Sequence, residues 1–392
     1  MARDNANWLR KDDEDASKAS FPELFFDLVF VFALIQLSHT LSSEFTSAAA
    51  FESLLLIFAI WWLWIHTTLV TNLLDATAEP VRLMLFAMMF GGVLMAIVLP
   101  EAFKEHGIWF ALIYSVLQIG RSVFAYIAFR EEDDDAAKTF VRMTVWSLVA
   151  GGFWIGGALM EIEGRVALWS IGLVIEYIAP AFRYAVPGLG RAPREALDIS
   201  GEHMAERCAL FVIICLGETI LTTGKNAAEH MNTCLLFAVF CSAFLTTGLM
   251  WWIYFHRGQE ETADEAEESD EPESMAHRLF TYGHLPIIAG IILTAVGEDF
   301  ALSHAEEGGD AGHALAMLGG PALFLAGNIW IKLAAMKRLA VSHVAGIALL
   351  ALTAIFQAST ANYLIQFVAT AILLMVATWE YVALKRLSAS TA

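Results

Sequence analysis

Carboxylates, imidazoles and guanidiniums stand inside stretches that are otherwise apolar, and these groups can pass protons, hold a small cation or lock helices by pairing. An ionisable side chain in hydrocarbon costs at least ~2.5 to 3.5 kcal/mol on insertion scales, so each is expected to face a partner or a wet cavity. Asp27, His66, Glu218, His284 and Glu298 are expected to line a polar path, because carboxylates and imidazoles joined by water exchange protons readily. Glu23, Arg121, Glu176, His203, Glu206 and Arg207 are expected to support it as ion pairs or hydrogen bonds, with Arg121 facing Glu176 or Asp27. Glu23 and Asp27 are four apart and share a helix face, Glu23 also suiting the helix dipole as a first-turn acid. Glu218 ends Cys215-Leu216-Gly217-Glu218 deep in an apolar run, with Lys225 the nearest base beyond it. His284 stands two residues before Pro286, which is expected to free a carbonyl and loosen that helix.

A different chemistry can be read from His203-x-x-Glu206, an imidazole and a carboxylate on one face, which His66 and His284 would complete as the centre of an intramembrane metal-dependent hydrolase. Spacing fixes no third ligand, so no metal site and no cofactor is expected, and an enzyme is the less favoured reading. Nucleophile elbows, phosphate loops and dinucleotide fingerprints are absent.

The elements carrying these residues must be apolar helices. Of 392 residues 58% are hydrophobic and only 17% charged, with mean hydropathy +0.59; soluble domains sit near roughly half apolar and a quarter charged. Apolar runs near 24–41, 51–73, 82–99, 107–129, 140–160, 166–184, 204–222, 233–255, 278–296, 314–336, 340–356 and 361–384 predict an all-α polytopic membrane protein of about twelve transmembrane helices. Lys and Arg are sparse in the loops after odd-numbered spans, which places both termini in the cytoplasm and the chain in the cell's inner membrane. No cleavable signal is expected. The net charge of −19 argues against nucleic acid as a partner, leaving the lipid bilayer and a proton or small cation; oligomeric state is not specified. Acid runs at Asp12–Asp15, Glu131–Asp135 and Glu260–Glu273 read as solvated loops. The cysteines, 208, 215, 234 and 241, read as small packing residues in two pairs, each on one helical face. Tryptophans such as Trp61, Trp62, Trp64, Trp154 and Trp169 read as an interfacial belt, and the glycine pairs at 91/92, 151/152, 156/157 and 319/320 as points of tight helix contact.

An internal repeat organises these spans. Trp61-Trp62-Leu63-Trp64-Ile65-His66 is echoed by Trp251-Trp252-Ile253-Tyr254-Phe255-His256, an offset of 190. Arg82-Leu83 and Glu101 are echoed by Arg278-Leu279 and Glu298 at offsets 196 and 197, Gly120-Arg121 by Gly327-Asn328, and Glu176-Tyr177 by Glu380-Tyr381. The expected plan is a cytoplasmic segment 1–22, a six-helix repeat 23–187, a cytoplasmic linker 188–202 and a second six-helix repeat 203–387 with an acidic loop 257–275. Six being even, the repeats run parallel, and the polar path is expected between them.

Glu23-Leu-Phe-Phe-Asp27-Leu-Val-Phe-Val-Phe-Ala33 resembles the opening motif of the bacterial low temperature requirement A family. His203-Met-Ala-Glu206-Arg207 with Leu216-Gly217-Glu218 is similar to that family's second block, and Tyr282-Gly-His284-Leu-Pro286 through Gly297-Glu298 to its third. The resemblance implies a many-helix integral membrane protein associated with growth in the cold, without a settled biochemical activity. Phe25-Phe26-Asp27 is also similar to the start of a family of potassium and proton channels built from six-helix repeats, except that Phe26 replaces a serine and the preceding arginine is missing. The expected function is therefore transport or conduction of a small cation or proton. The alternatives are a non-transporting scaffold or sensor in cold adaptation and the hydrolase above.

Overall fold

The structure, a computed structural model, describes residues 8–10, 18–43, 45–194, 196–197, 199–230, 232–256, 275 and 277–391. The acid run at Asp12–Asp15, and the acidic loop 257–275 apart from residue 275, lie outside the described residues. The described residues form twelve α-helices and no sheet. These are α1 (Phe21–Ser43), α2 (Ser47–Leu73), α3 (Glu79–Val98), α4 (Gly107–Phe129), α5 (Asp134–Ala158), α6 (Ile162–Ile178), α7 (Gly201–His230), α8 (Cys234–Phe255), α9 (Gly283–Ser303), α10 (Ala311–Met336), α11 (Val341–Ile355) and α12 (Asn362–Thr391).

Each apolar run read from the sequence falls on one of these helices. Among the described residues, eight helical segments are long and apolar enough to cross a membrane. The 15 residues of α11 span only about 22 Å against a hydrocarbon core of roughly 30 Å. The sixth run was read through residue 184, but α6 stops at Ile178: Pro180 has no amide to extend the ladder, and the chain turns with Arg183 and Tyr184 at φ 49° and 47°.

Exposed surface is apolar where a soluble protein would be polar. On α3 the stripe Leu83, Phe86, Phe90 and Ile97 points outward, with Leu83 61%, Phe90 67% and Ile97 62% exposed. Spacing near three, four and seven residues makes this one helix face, the arrangement that lipid tails solvate.

Helix ends are held by local chemistry. Asp133, in the acid run before α5, accepts the amides of Asp135 at 2.9 Å and Ala136 at 3.0 Å, and Asp310 caps α10 through the amides of Gly312 at 2.7 Å and His313 at 3.0 Å. The amides of His313 and Gly312 hold the Asp310 carboxyl below its ordinary range. A carboxyl lowered in this way stabilises the fold fully above its unfolded value, and the contribution disappears as pH falls through the folded one. Asp310→Ala is expected to cost about 1 kcal/mol at neutral pH. Thermal melts in detergent should show the gap from the unsubstituted chain closing on acidification.

By its contacts the chain divides into two compact units. The first takes the described residues within Met1–Leu37, Phe51–Phe211 and Ala263–Thr281, the second those within Ser38–Ala50, Val212–Thr262 and Tyr282–Ala392. Boundaries between these units fall inside α1, α2 and α7. In the first unit α4, α5 and α6 enclose Phe110, Tyr114, Trp154 and Trp169, whose rings lie 4.8 to 6.0 Å apart. Trp61, Trp62, Trp64, Trp154 and Trp169 are buried, so for them the interfacial belt is corrected: their indoles fill the interior, and Trp169 donates to the Trp154 carbonyl at 2.8 Å.

In the second unit α9 lies directly on α10 along glycines. A Cβ on Gly290 would come within 2.5 Å of the Phe324 backbone nitrogen, and one on Gly297 within 2.7 Å of the Met317 Cα. From the facing helix, a Cβ on Gly320 would meet the Thr294 nitrogen at 2.5 Å and one on Gly327 the Ile287 nitrogen at 2.9 Å. Seven-residue spacing on both helices brings these positions to one seam, so the backbones themselves are in contact.

Candidate functional site

In the first unit, α1 opens with the turn that builds a charge cluster. Ser20 donates its amide and hydroxyl to Glu23 Oε2, both at 2.8 Å, so Glu23 closes a capping box with one oxygen. Its other oxygen accepts Arg207 Nη1 at 2.7 Å. One turn on, Asp27 Oδ1 accepts Arg207 Nη2 at 2.6 Å and the Trp64 indole at 2.8 Å, while Oδ2 accepts Arg207 Nε at 3.2 Å. Arg207 thus grips Asp27 with two parallel bonds, the strongest arrangement open to this pair. It also donates to the Thr71 hydroxyl at 3.2 Å and stands over the Trp64 ring, its guanidinium carbon 6.0 Å from the centroid.

His203 completes the cluster, and its tautomer follows from its neighbours. Asn72 Nδ2 can only donate, so His203 Nδ1, 3.1 Å away, accepts; the proton then resides on Nε2, which lies 3.2 Å from Glu23 Oε1. Asn72 also donates to Ser200 O and accepts the Ser200 amide, each at 2.9 Å. Arg10 reaches Glu23 Oε2 at 3.6 Å. Two carboxylates face two guanidiniums, all but Arg10 with side chains 0% exposed, so the cluster is neutral and sealed. Glu206 turns away from it and accepts the amide of Ala19 at 3.1 Å.

The other expected residues of this unit have separate partners. His66 contacts the Trp62 carbonyl through Nδ1 and the Tyr184 hydroxyl through Nε2, both at 3.2 Å. Because a carbonyl only accepts, Nδ1 carries the proton and Tyr184 donates to Nε2. Arg121 donates to the Leu63 carbonyl at 3.3 Å, whereas Glu176 accepts Tyr114 at 2.8 Å and Gln118 at 3.4 Å.

In the second unit, Glu298 on α9 is 1% exposed and accepts the Thr223 hydroxyl at 2.7 Å on Oε2. Its Oε1 takes no hydrogen bond. No basic side chain among the described residues pairs with it. Beside it, Asp299 accepts Asn226 Nδ2 at 2.5 Å. His284 Nε2 meets the Tyr254 hydroxyl at 2.8 Å, and Glu218 is half-buried on α7. The loosening expected at Pro286 appears just before α9 as a π-helical turn, His277–Tyr282. Within that turn the Thr281 carbonyl accepts the Trp61 indole at 2.8 Å.

Among the residues that the sequence reading passed over, Lys332 pairs with Glu380, and His343 lies 4.0 Å from the same carboxylate. Lys332 is a charge inside an apolar run, the criterion that selected the others, and could have been found by it. Thr223, Thr247 and Asn72 carry no such signal, since hydroxyls and amides are ordinary in membrane helices. Among the described residues no group of three or more His, Cys, Asp or Glu side chains is placed to hold a metal ion. A groove of about 580 Å³ along α12, lined by Ala371, Leu374 and Trp379 among others, shares no residue with these clusters.

Aromatic rings pack around the two tryptophan pairs. Trp62 lies 4.5 Å from Tyr177 and 3.9 Å from His66, centroid to centroid; Trp252 lies 6.4 Å from Tyr381 and 5.1 Å from His256. The charge cluster joins residues far apart in the chain. Glu23 faces His203 and Asp27 faces Arg207, each pair 180 residues apart and each member four from the next on its own helix.

Twelve helices, an outward apolar surface and ionisable groups held inside define a polytopic helical membrane protein. The family model of the bacterial low temperature requirement A protein (LtrA) matches residues 18–378, and the chain belongs to that family. It is 56% identical over 392 residues to an uncharacterized protein of Rhizobium meliloti (strain 1021), an alignment that covers 100% of this chain and 96% of that one. No solved structure matches it.

Proposed function

We propose that the protein is a transporter or channel for a proton or small cation, built from two parallel six-helix repeats in the inner membrane with both termini cytoplasmic. The observation carrying this reading is Glu298, a buried carboxylate in the second unit with one hydroxyl bonded to it and no basic partner. A fixed ion pair would give such a group a purely structural use; without one, its charge must be met by something that can come and go. We assign His284 and Glu218 of the same unit and His66 of the first to the path. Asp27, both of whose oxygens are held by Arg207, joins Glu23, Arg121, Glu176, His203, Glu206 and Arg207 as support.

Purified protein in liposomes is expected to move protons or a monovalent cation down an imposed gradient, and Glu298→Gln to reduce that flux to the level of empty vesicles. Pair Glu218→Gln with it as the milder variant. Absence of flux above empty vesicles under every gradient ends the proposal. The second reading, a non-transporting scaffold or sensor, draws on the neutral sealed cluster around Arg207, and that result would leave it standing.

A further inference from the structure

We infer that residues 8–10 are a detachable strap: Arg10 caps the Glu23 end of the charge cluster, and its release opens a seat for a weakly hydrated monovalent cation of the guanidinium kind. The inference goes beyond the transport reading and does not depend on it.

The strap is pinned to the turn after α2. Leu9 and Leu74 form an antiparallel bridge, flanked by the Arg10 amide on the Leu73 carbonyl at 3.1 Å and the Asp75 amide on the Trp8 carbonyl at 2.8 Å. Trp8 stacks on Phe124 of α4, centroids 5.9 Å apart and planes 7° from parallel. From this short segment Arg10 reaches Glu23 Oε2 at 3.6 Å, its side chain 15% exposed. Arg207 is held otherwise: it is built into α7, fully buried, with contacts of 2.6 to 3.2 Å to Glu23, Asp27 and Thr71. One cation of the cluster belongs to the helices, and the other is carried to it.

Release of the strap leaves Glu23 and Asp27 facing Arg207 alone, one negative charge in excess. A proton has no free place there. Asn72, oriented by its two bonds to Ser200, turns an N–H toward His203 Nδ1, so that nitrogen stays an acceptor. Glu23 Oε2 takes the amide and hydroxyl of Ser20, while Oε1 takes Arg207 with His203 Nε2 3.2 Å away, so donors stand at all four lone pairs. The excess charge is therefore answered by a cation from outside, attracted without being coordinated. Hard cations exchange water for ligand oxygens, and none is free on Glu23. A guanidinium leaves water more readily than an ammonium does, and Arg10 supplies one on a tether.

The test uses the full chain purified in detergent. Leu9 and Leu74 are a non-hydrogen-bonded pair, for which Cα atoms stand about 4.5 Å apart, within the roughly 4.4–6.8 Å that a disulfide spans. Oxidised Leu9→Cys with Leu74→Cys is expected to slow hydrogen exchange at the Asp75 amide several-fold, and reduction to restore it. Equally slow exchange in both forms means a strap that never leaves, and overturns the inference. Arg10→Ala keeps the backbone bonds and removes the cation. Its thermal midpoint is expected to fall by several degrees and to return, saturably, with millimolar ethylguanidinium, far less with ethylammonium or sodium chloride at equal ionic strength, while the parent is unmoved. Arg10→Gln, closer in bulk, takes its place if the alanine variant does not purify. No recovery with ethylguanidinium, equal recovery with sodium, or recovery on acidification alone overturns the seat.

Discussion

Arg207→Leu is expected to deprive the chain of its stable fold. Glu23 and Asp27 would keep their places on α1 but lose the guanidinium bonded to both, at 2.7 and 2.6 Å. Removing one partner of a buried ion pair costs about 3–5 kcal/mol, because the remaining charge stays buried and unanswered. Total stabilities run to roughly 5–15 kcal/mol, so a large part of the margin disappears. Arg207→Lys should recover little, since an ammonium cannot reproduce the double bond to Asp27. Leucine at both 27 and 207 should recover more, by removing one of the two orphaned charges and leaving Glu23 to Arg10 at 3.6 Å. Fluorescence-detected size exclusion after heating reads all three, and a single Arg207→Leu variant as heat-resistant as the parent would contradict this account.

The second large effect belongs to the seam between α9 and α10. Gly290→Val is expected to force these helices apart, because the atoms in its way, the Phe324 nitrogen at 2.5 Å and the Gly320 oxygen at 2.8 Å, are backbone and cannot rotate aside. Overpacking costs about 1–3 kcal/mol where side chains can yield, and more is expected here. Gly217→Ala, with nothing within 4 Å of the new methyl, is the matched control and should be neutral or gain up to about 1 kcal/mol of helix propensity. Because Glu298 adjoins Gly297 on that seam, the valine variant should also lose flux in whatever fraction remains folded. Thermal midpoints for the two variants, measured side by side, check the contrast.

Hydropathy made the twelve helices legible because lipid demands continuous apolar runs, and the ionisable residues within those runs stood out for the same reason. Choosing partners was harder. Arg121 was read toward Glu176 or Asp27, yet it rests on the Leu63 carbonyl, while Glu176 is served by Tyr114 and Gln118. A sequence shows that a buried charge needs an answer but not which neutral dipole supplies it. The charge cluster was half visible: Glu23 and Asp27 shared a face, and His203 and Arg207 lay in one block. Their meeting escaped because the two blocks lie 180 residues apart and no local spacing joins them. Of the glycine pairs, a Cβ on Gly152 would meet nothing within 4 Å while one on Gly151 would stand 3.2 Å from the Ser115 hydroxyl, so one member of that pair lies at a close approach.

The meeting of Glu23 and Asp27 with His203 and Arg207 joins the first turns of α1 to those of α7 across 180 residues of chain. A loop of that length costs little more to close than a short one, because the entropy lost grows only with the logarithm of its length. Buried ions at both ends then make the closure hard to undo in part: neither helix end can leave without stranding charge on the other.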